Sequence, residues 1–382
     1  MPTPQCALCD KEITEKNDTK EHLIPNAIGG RRKVKGFICK DCNSTSGDAW
    51  ESELAKQLNP LSLFFGIIRE RGEVPPQLFE TTGGDKLKLN LHGSMDIEKP
   101  LYSESPMGSG AGVQIQIQAR SMPEARRMLQ GVKRKYPQID LNELLDNAKS
   151  ESSYCSDMLK FNLSFGGCEA GRSIVKSALA LAVSSGISAE ICVEAKSYLR
   201  NEEGEACFGY FYESDLVKNR PEGIPFHCVS IKGCSKTRQV IGYVEYFGVQ
   251  RVVLCLSSSY EGDDISNTYA INPITGQELN LDVELNLSNE EIREAYNYKK
   301  IPDGSVEDAF DKVIPTGIKT SFDKEKDRIL NEAVQHAFKN CGAKEGELLM
   351  PEHINKLTTL MMEKLEPFIL HQFSQPRKKS SL

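Results

Sequence analysis

A glutamate and a histidine stand side by side at positions 21 and 22, inside a loop framed by two Cys-x-x-Cys pairs. An imidazole titrates near neutral pH and can take a proton from water. Carboxylate oxygens are preferred ligands of hard divalent cations such as Mg²⁺ and Mn²⁺. Glu21 and His22 together therefore suit metal-assisted hydrolysis, whereas each residue alone is also compatible with a solvated acid and a surface histidine.

The cysteine pairs are Cys6 with Cys9 and Cys39 with Cys42. In a reducing compartment, two pairs of identical short spacing indicate a metal site rather than disulfides. Four thiolates close a tetrahedral shell around Zn²⁺ and leave no position open for water. We therefore predict a structural zinc ion that does no chemistry, with reduced free thiols or a redox pair as the alternatives.

Residues 29–40 form a basic stretch between the Glu-His pair and the second cysteine pair, and no acidic residue interrupts it. The whole chain has a formal net charge of −7, which argues against a protein that coats itself in nucleic acid. A local basic loop can nevertheless hold a phosphate backbone. The predicted substrate-binding residues are Arg31, Arg32, Lys33 and Lys35. A solvated loop is the alternative.

The elements that position these residues form a small module over residues 1–60. Apolar residues are sparse in it until Trp50, Leu54 and Leu58 recur at helical spacing, which predicts a short amphipathic helix. A unit with so little core needs a staple, and four cysteines around zinc supply one.

The rest of the 382-residue chain predicts an α+β fold. Runs rich in aromatic and β-branched residues between positions 207 and 258 indicate a meander of antiparallel strands, and apolar stripes at helical spacing follow from about residue 286. We predict a mixed α/β domain over residues 80–285 without an assigned role. A helical C-terminal region over residues 286–375 and a disordered basic tail over residues 376–382 complete the chain.

The order of the motifs, C-x2-C … E-H-x-I-P-x-x-x-G-G … C-x-x-C-N-x-x-x-G, resembles the HNH, or ββα-metal, endonucleases in their zinc-stapled subtype with four cysteines. The resemblance covers roughly residues 6–58. It implies that His22 is the general base and that Glu21 and Asn43 are ligands of a catalytic Mg²⁺ or Mn²⁺. His22 would end a short strand, and Asn43 would lie on the helix that follows.

Two positions depart from the family pattern. The first ligand is Glu21 where an aspartate is commoner. The asparagine that usually lies a few residues before the second cysteine pair is missing, and Val34 stands about where it should be. Asn26 is a candidate substitute.

The resemblance predicts a metal-dependent endonuclease that hydrolyses DNA phosphodiester bonds, with RNA as an alternative substrate. By analogy, such an enzyme would serve in restriction, phage defence or mobile-element biology, as a homodimer or under a regulatory partner or activating ligand. The alternative from another class is a non-catalytic zinc-knuckle module that binds nucleic acid or protein. The first residues offer no signal peptide, and no apolar run is long enough to span a bilayer. We therefore expect a cytoplasmic protein without a membrane partner.

Overall fold

The computed structural model describes residues 4–106, 112–149, 152–201, 203–344 and 346–374. The chain divides into two compact units. The first comprises the residues up to Pro76, Leu91–Gly93 and Asn162–Lys319, and the second comprises Gln77–Asn90, Ser94–Phe161 and the residues from Thr320 onward. The domain boundaries expected from the sequence remain a prediction, and the basic tail at residues 376–382 lies outside the described residues.

The first unit begins with a two-stranded hairpin followed by a long helix. Strand β1 (Glu21–His22) pairs antiparallel with β2 (Lys33–Val34). Helix α1 (Lys40–Ser46), a π-helical turn (Gly47–Glu51) and α2 (Ser52–Phe65) then follow without a break. Leu54 and Leu58 are fully buried, which confirms the predicted amphipathic helix. Helix α2 ends at Gly66, whose left-handed backbone suits glycine.

The centre of this unit is a six-stranded antiparallel sheet in the order β14-β13-β10-β11-β12-β9. Its strands are β9 (Phe208–Tyr210), β10 (His227–Cys234), β11 (Gln239–Tyr246), β12 (Gln250–Ser257), β13 (Ile265–Ile271) and β14 (Glu278–Leu279). The predicted meander is confirmed, because β10, β11 and β12 pair consecutively. The helices of the unit are α5 (Cys168–Ser184), α6 (Val193–Arg200), α7 (Asn289–Tyr296) and α8 (Ser305–Asp311).

The sheet is covered on both faces, which explains why β11 and β12 are buried along their whole length. Successive side chains of a strand point to opposite faces. On one face, the Tyr246 hydroxyl lies 3.1 Å from the Ser177 hydroxyl of α5. On the other face, Tyr243 packs in a cluster with Phe211 and with Ile292 of α7. Helix α5 is buried from Ala170 to Ala182 because it packs against both this sheet and the N-terminal segment.

The second unit contains a four-stranded antiparallel sheet in the order β5-β4-β3-β8 and a hairpin of β6 and β7. These strands are β3 (Gln77–Thr81), β4 (Lys86–Leu89), β5 (Met95–Ile97), β6 (Leu101–Pro106), β7 (Val113–Gln118) and β8 (Leu159–Lys160). Its helices are α3 (Met122–Lys135), α4 (Leu141–Asp146) and α10 (Pro351–Ser374). Helix α9 (Ile314–Asn340) begins in the first unit, and its larger part belongs to the second.

Antiparallel sheets and C-terminal helices occur in one chain, so the predicted α+β class is confirmed. In the part of the chain that the structure describes, no helix is both long and apolar enough to cross a membrane.

Candidate functional site

The four N-terminal cysteines come together as the sequence predicts. Their sulfur atoms all lie within 4.8 Å of one another, and Sγ of Cys9 is 3.7 Å from Sγ of Cys39. A tetrahedral Zn²⁺ shell with Zn–S bonds of about 2.3 Å requires sulfur separations of about 3.8 Å. The N–H of Cys39 donates to Sγ of Cys6 at 3.3 Å, a bond that suits a negatively charged thiolate. The cluster therefore fits a closed structural zinc site.

Helix α6 holds the first cysteine pair from outside. Nζ of Lys196 lies 3.0 Å from Asp10, the residue after Cys9, and the Arg200 guanidinium also pairs with this carboxylate. Arg200 further donates to the carbonyl of Ala7 at 3.2 Å. These two cations lower the pKa of the Asp10 carboxyl, with Arg200 as the larger cause. The zinc knuckle is thus tied to the body of the first unit.

The backbone conformation of the loop between β1 and β2 requires its pair of glycines. Gly29 has φ +97°, a left-handed conformation that glycine adopts without strain. At Gly30, a Cβ atom would lie 1.8 Å from the carbonyl oxygen of Ile24, so no larger residue fits. Beside them, the carbonyl of Ile28 accepts a hydrogen bond of 2.7 Å from Nε2 of His227 on β10. This loop returns the chain to β2 and fixes the position of β1.

Glu21 points into the protein and is only 4% exposed. Its carboxylate pairs with the ammonium of Lys176, which lies in the middle of α5. The same ammonium pairs with Glu51 at the end of the π-helical turn and donates to the hydroxyl of Ser46 at 3.3 Å. Two carboxylates from the N-terminal segment therefore meet at one buried cation.

The charges in this cluster do not balance. Burial raises the pKa of Glu21 to about 7 although Lys176 opposes this, and the neighbouring charge of Glu51 adds to the rise. Burial alone lowers the pKa of Lys176, but the charges of Glu51 and Glu21 outweigh burial and raise it. Lys176 thus stays protonated, and the raised pKa of Glu21 reflects that one ammonium does not offset two neighbouring carboxylates.

His22 faces a different partner. Its Nε2 lies 2.8 Å from the Glu70 carboxylate, and its side chain is 15% exposed. Nζ of Lys33 binds the other oxygen of Glu70 at 2.6 Å. Hydrogen bonds from Lys33 and His22 lower the pKa of the Glu70 carboxyl to about 2, so this group is ionised. An ionised carboxylate accepts the Nε2 proton, and within the described residues Nδ1 has no hydrogen-bond partner.

Asn26 fixes the segment that carries Glu70. Its amide oxygen accepts from the backbone N–H groups of Glu70 at 2.9 Å and of Arg71 at 3.3 Å. Its amide nitrogen donates to the carbonyl of Arg71 at 3.1 Å. Val34, at the position of the missing family asparagine, is instead buried and pairs with Glu21 in the hairpin. Asn26 therefore pins a loop next to His22, and its role as a substitute for the missing asparagine stays a prediction.

Comparison with known proteins agrees with this arrangement. Residues 6–59 match the model of a protein family described as HNH endonuclease. The N-terminal segment is thus similar to HNH endonuclease domains. The resemblance seen in the sequence is thereby confirmed for this segment, which we call the HNH segment. No curated protein and no solved structure matches the chain.

The third predicted site residue of the HNH segment, Asn43, lies in the first turns of α1. Its backbone N–H donates to Cys39, and its carbonyl accepts from the Ser46 hydroxyl at 3.1 Å. Among the described residues its side-chain amide makes no hydrogen bond. The helix therefore connects Asn43 through Ser46 to the Lys176 cluster, but the roles of Glu21, His22 and Asn43 in catalysis stay predictions.

Three of the four predicted substrate-binding residues are already engaged within the first unit. Arg31 donates to the carbonyl of Ile68 at 3.3 Å. Arg32 pairs with Glu278 at 2.9 Å and lies over the ring of Tyr269. Lys33 pairs with Glu70, whereas Lys35 is exposed. Their role in substrate binding also stays a prediction.

The donor set around β1 fits a hard divalent cation. The two carboxylates of Glu21 and Glu51 already converge on a cation, and oxygen atoms are the ligands that Mg²⁺ and Mn²⁺ prefer. Asn43, on the neighbouring helix, carries a neutral amide oxygen of the same donor type, and its place in the donor set stays a prediction. The residues present therefore suit the metal that an HNH domain implies.

Sequence reasoning missed three residues of this site: Glu51, Glu70 and Lys176. Lys176 did leave a signal, because a lysine inside the apolar run SIVKSALALAV must find a buried partner. Glu51 carries only the weak signal of an acid in a helix, and nothing in the sequence marks Glu70. Their partners are far away in the chain, so only the fold identifies them.

Proposed function

We propose that the HNH segment makes this protein a metal-dependent endonuclease that hydrolyses phosphodiester bonds of DNA. The observation that carries the proposal is the state of His22 within a family-matched HNH segment. One ring nitrogen is bound to an ionised carboxylate, and the other has no partner in the described structure. An imidazole in this state is ready to accept a proton.

In the proposed reaction, Nδ1 of His22 takes a proton from the attacking water. The hydrogen bond from Nε2 to Glu70 holds the ring in one tautomer and stabilises the imidazolium that forms. Glu21 and Asn43 would hold the metal by their oxygen atoms. When bound, Mg²⁺ or Mn²⁺ neutralises charge on the phosphate and on the leaving oxygen. The zinc ion keeps β1 and α1 in fixed relation and takes no part in the chemistry.

Substrate binding is proposed for Arg31, Arg32, Lys33 and Lys35. Lys35 is the residue best placed for a first contact because it is exposed. Arg32 and Lys33 would exchange their acidic partners, Glu278 and Glu70, for phosphates. Each such contact with a DNA phosphate makes binding more dependent on salt concentration.

The test compares wild type with His22→Ala on supercoiled plasmid in Mg²⁺, Mn²⁺ or EDTA. We expect metal-dependent nicking or linearisation by wild type and at least a roughly hundredfold slower reaction with the variant, since a general base contributes about 10²–10⁴-fold. The matched control is His92→Ala, which changes an exposed histidine outside the HNH segment. Zinc content should be unchanged in both variants.

Equal cleavage rates for wild type and His22→Ala would contradict the proposed role of His22 as general base. Zinc-loaded wild type that binds plasmid without cutting it in either metal would support the alternative, a non-catalytic binding module. The same assay with an RNA of matched sequence decides between the two nucleic acids. A cytoplasmic location, a homodimer, a regulatory partner or activating ligand, and a role in restriction, phage defence or mobile-element biology remain proposals by analogy.

A further inference from the structure

Lys176 is a buried lysine from outside the HNH segment that reaches into its centre. It is 1% exposed, lies in the middle of α5, and is separated by 155 positions from Glu21. Its ammonium contacts Glu21, Glu51 and Ser46, all of them in the HNH segment. Lysine is almost never fully buried unless it is paired, so these contacts account for its position.

The partners of Lys176 are unusual because two acids with little exposure to water share one monovalent cation. The side chains of Glu21 and Glu51 are 5% and 18% exposed. Lys300 offers a comparison, since it also pairs with two acids, Glu213 and Glu294. Those two carboxylates are 47% and 36% exposed, so water solvates their excess charge. At Glu21 and Glu51 less water is available, and when both carboxylates are ionised one ammonium leaves the pair one positive charge short.

The backbone conformation that leads to Glu51 is also unusual. The continuous helix contains a π-helical turn from Gly47 to Glu51. Such a turn holds about one residue more than an α-helical turn. Such turns are rare and frequently lie at functional sites. The extra residue rotates the later part of the helix about its axis, and Glu51 ends the turn with its carboxylate on the same cation as Glu21. Ordinary helix packing does not require a half-buried acid here.

We propose that Glu21 and Glu51 together are the carboxylate ligands of the divalent metal, and that the Lys176 ammonium holds their place in the metal-free protein. This inference rests on the proposed metal-dependent function and adds Glu51 to its ligands. A divalent cation brings the second positive charge that Lys176 lacks. Metal and ammonium compete for the same oxygen atoms, so Lys176 weakens metal binding while it stabilises the metal-free fold.

The test measures Mn²⁺ binding to the zinc-loaded full chain without DNA, by electron paramagnetic resonance of the free ion. Lys176→Met removes the competitor at similar length, and we expect at least tenfold tighter Mn²⁺ binding than in wild type. Glu51→Gln removes a charged ligand but leaves Glu21 and Lys176 as a neutral pair, and we expect at least tenfold weaker binding. Lys300→Met is the matched control and should bind Mn²⁺ like wild type.

Lys176→Met leaves the buried Glu21 and the half-buried Glu51 without a cation, so a second measurement follows folding. Mn²⁺ should then raise the melting temperature of Lys176→Met more than that of wild type or of Lys300→Met. If Lys176→Met binds Mn²⁺ no more tightly than wild type, and Mn²⁺ raises its melting temperature no further, metal and ammonium do not compete. Unchanged Mn²⁺ affinity in Glu51→Gln overturns the ligand assignment.

The outcome separates this inference from the proposed nuclease activity. If wild type cuts DNA with Mn²⁺ but Glu51→Gln and Lys176→Met bind the ion as wild type does, the nuclease stands and the inference fails. If the variants shift Mn²⁺ affinity as expected and wild type cuts no nucleic acid, the metal site stands without the nuclease. Wild type and variants that all bind no Mn²⁺ overturn the inference.

Discussion

At the scale of single residues, His22 differs from an ordinary surface histidine by its fixed tautomer. The ionised Glu70 carboxylate lies 2.8 Å from Nε2 of His22 and accepts a hydrogen bond from it, which places the ring proton on Nε2. Asn26 holds the backbone at Glu70 in place, because its side chain accepts from the N–H of Glu70 and donates to the carbonyl of Arg71. Glu70 lies beyond the segment that matches the HNH family, which ends at residue 59. In the proposed mechanism it is a positioning residue and touches no substrate.

Glu70→Gln should slow cleavage by about 10- to 100-fold through kcat, with a smaller change in KM, since only part of the general-base contribution is lost. The amide still fills the space but no longer favours the Nε2–H tautomer or stabilises the imidazolium. The ¹⁵N chemical shifts of His22 should show this directly as a mixture of tautomers in the variant, whether or not DNA is present.

Glu70→Asp should recover part of the rate, because it keeps the negative charge. Glu261→Gln is the matched control, since Glu261 is an exposed acid that pairs with Arg238 away from the HNH segment. Wild-type ¹⁵N shifts of His22 in Glu70→Gln would contradict the positioning role.

At the scale of elements, β10 fixes the loop between β1 and β2 through one histidine. Nε2 of His227 donates to the carbonyl of Ile28, and Nδ1 accepts from the N–H of Phe247 at 3.1 Å. A carbonyl only accepts and an N–H only donates, so the imidazole must be neutral. Complete burial lowers the pKa of His227 from 6.5 to about 4. The hairpin is thus joined to the sheet by a group that resists protonation.

This depressed pKa makes stability depend on pH with a defined sign. Above pH 6.5 His227 is neutral in both folded and unfolded states, and its contribution to stability is fully present. Between pH 6.5 and about 4 the unfolded state binds the proton first, so the free energy of unfolding falls as pH falls. The shift corresponds to roughly 3 kcal/mol. Urea unfolding at a series of pH values measures this loss.

Other groups titrate in the same range, so a variant must isolate the contribution of His227 to the pH dependence of stability. His227→Gln keeps a donor and an acceptor but does not titrate, and its unfolding free energy should fall by roughly 3 kcal/mol less over this pH interval. Equal pH dependence in wild type and His227→Gln would show that another group controls it.

At the scale of the molecule, the HNH segment is an integral part of the first unit. Its contacts with later parts of that unit include Asp10 with α6, Glu21 with α5, and Ile28 with β10. The contacts of Glu21 and Ile28 satisfy a buried charge and a backbone carbonyl that would otherwise lack a partner, whereas Asp10 is exposed. Contacts with α5, α6 and β10 therefore hold the segment in the first unit, and a zinc ion at the four cysteines would stabilise it further.

Cys39→Ser should abolish zinc binding and lower the free energy of unfolding by about 4 kcal/mol or more, as expected for loss of a structural metal. Hydrogen exchange should show lost protection over residues 6–59, while β10, β11 and β12 keep theirs because their core does not include the cysteines. Cys155→Ser is the control and should retain zinc, since Cys155 lies in the second unit. Full zinc content in Cys39→Ser would contradict the four-thiol site.

The sequence by itself determined the features that depend on short spacing. The Cys-x-x-Cys pairs, Glu21-His22 and the alternating strands of the meander are local patterns, because ligand geometry and strand period act over a few residues. The tertiary structure alone decided the partners of the acid and the base. Lys176, Glu51 and Glu70 meet them only after α5, the π-helical turn and a loop have packed, and pairings over such separations follow from packing of the whole unit rather than from local preference.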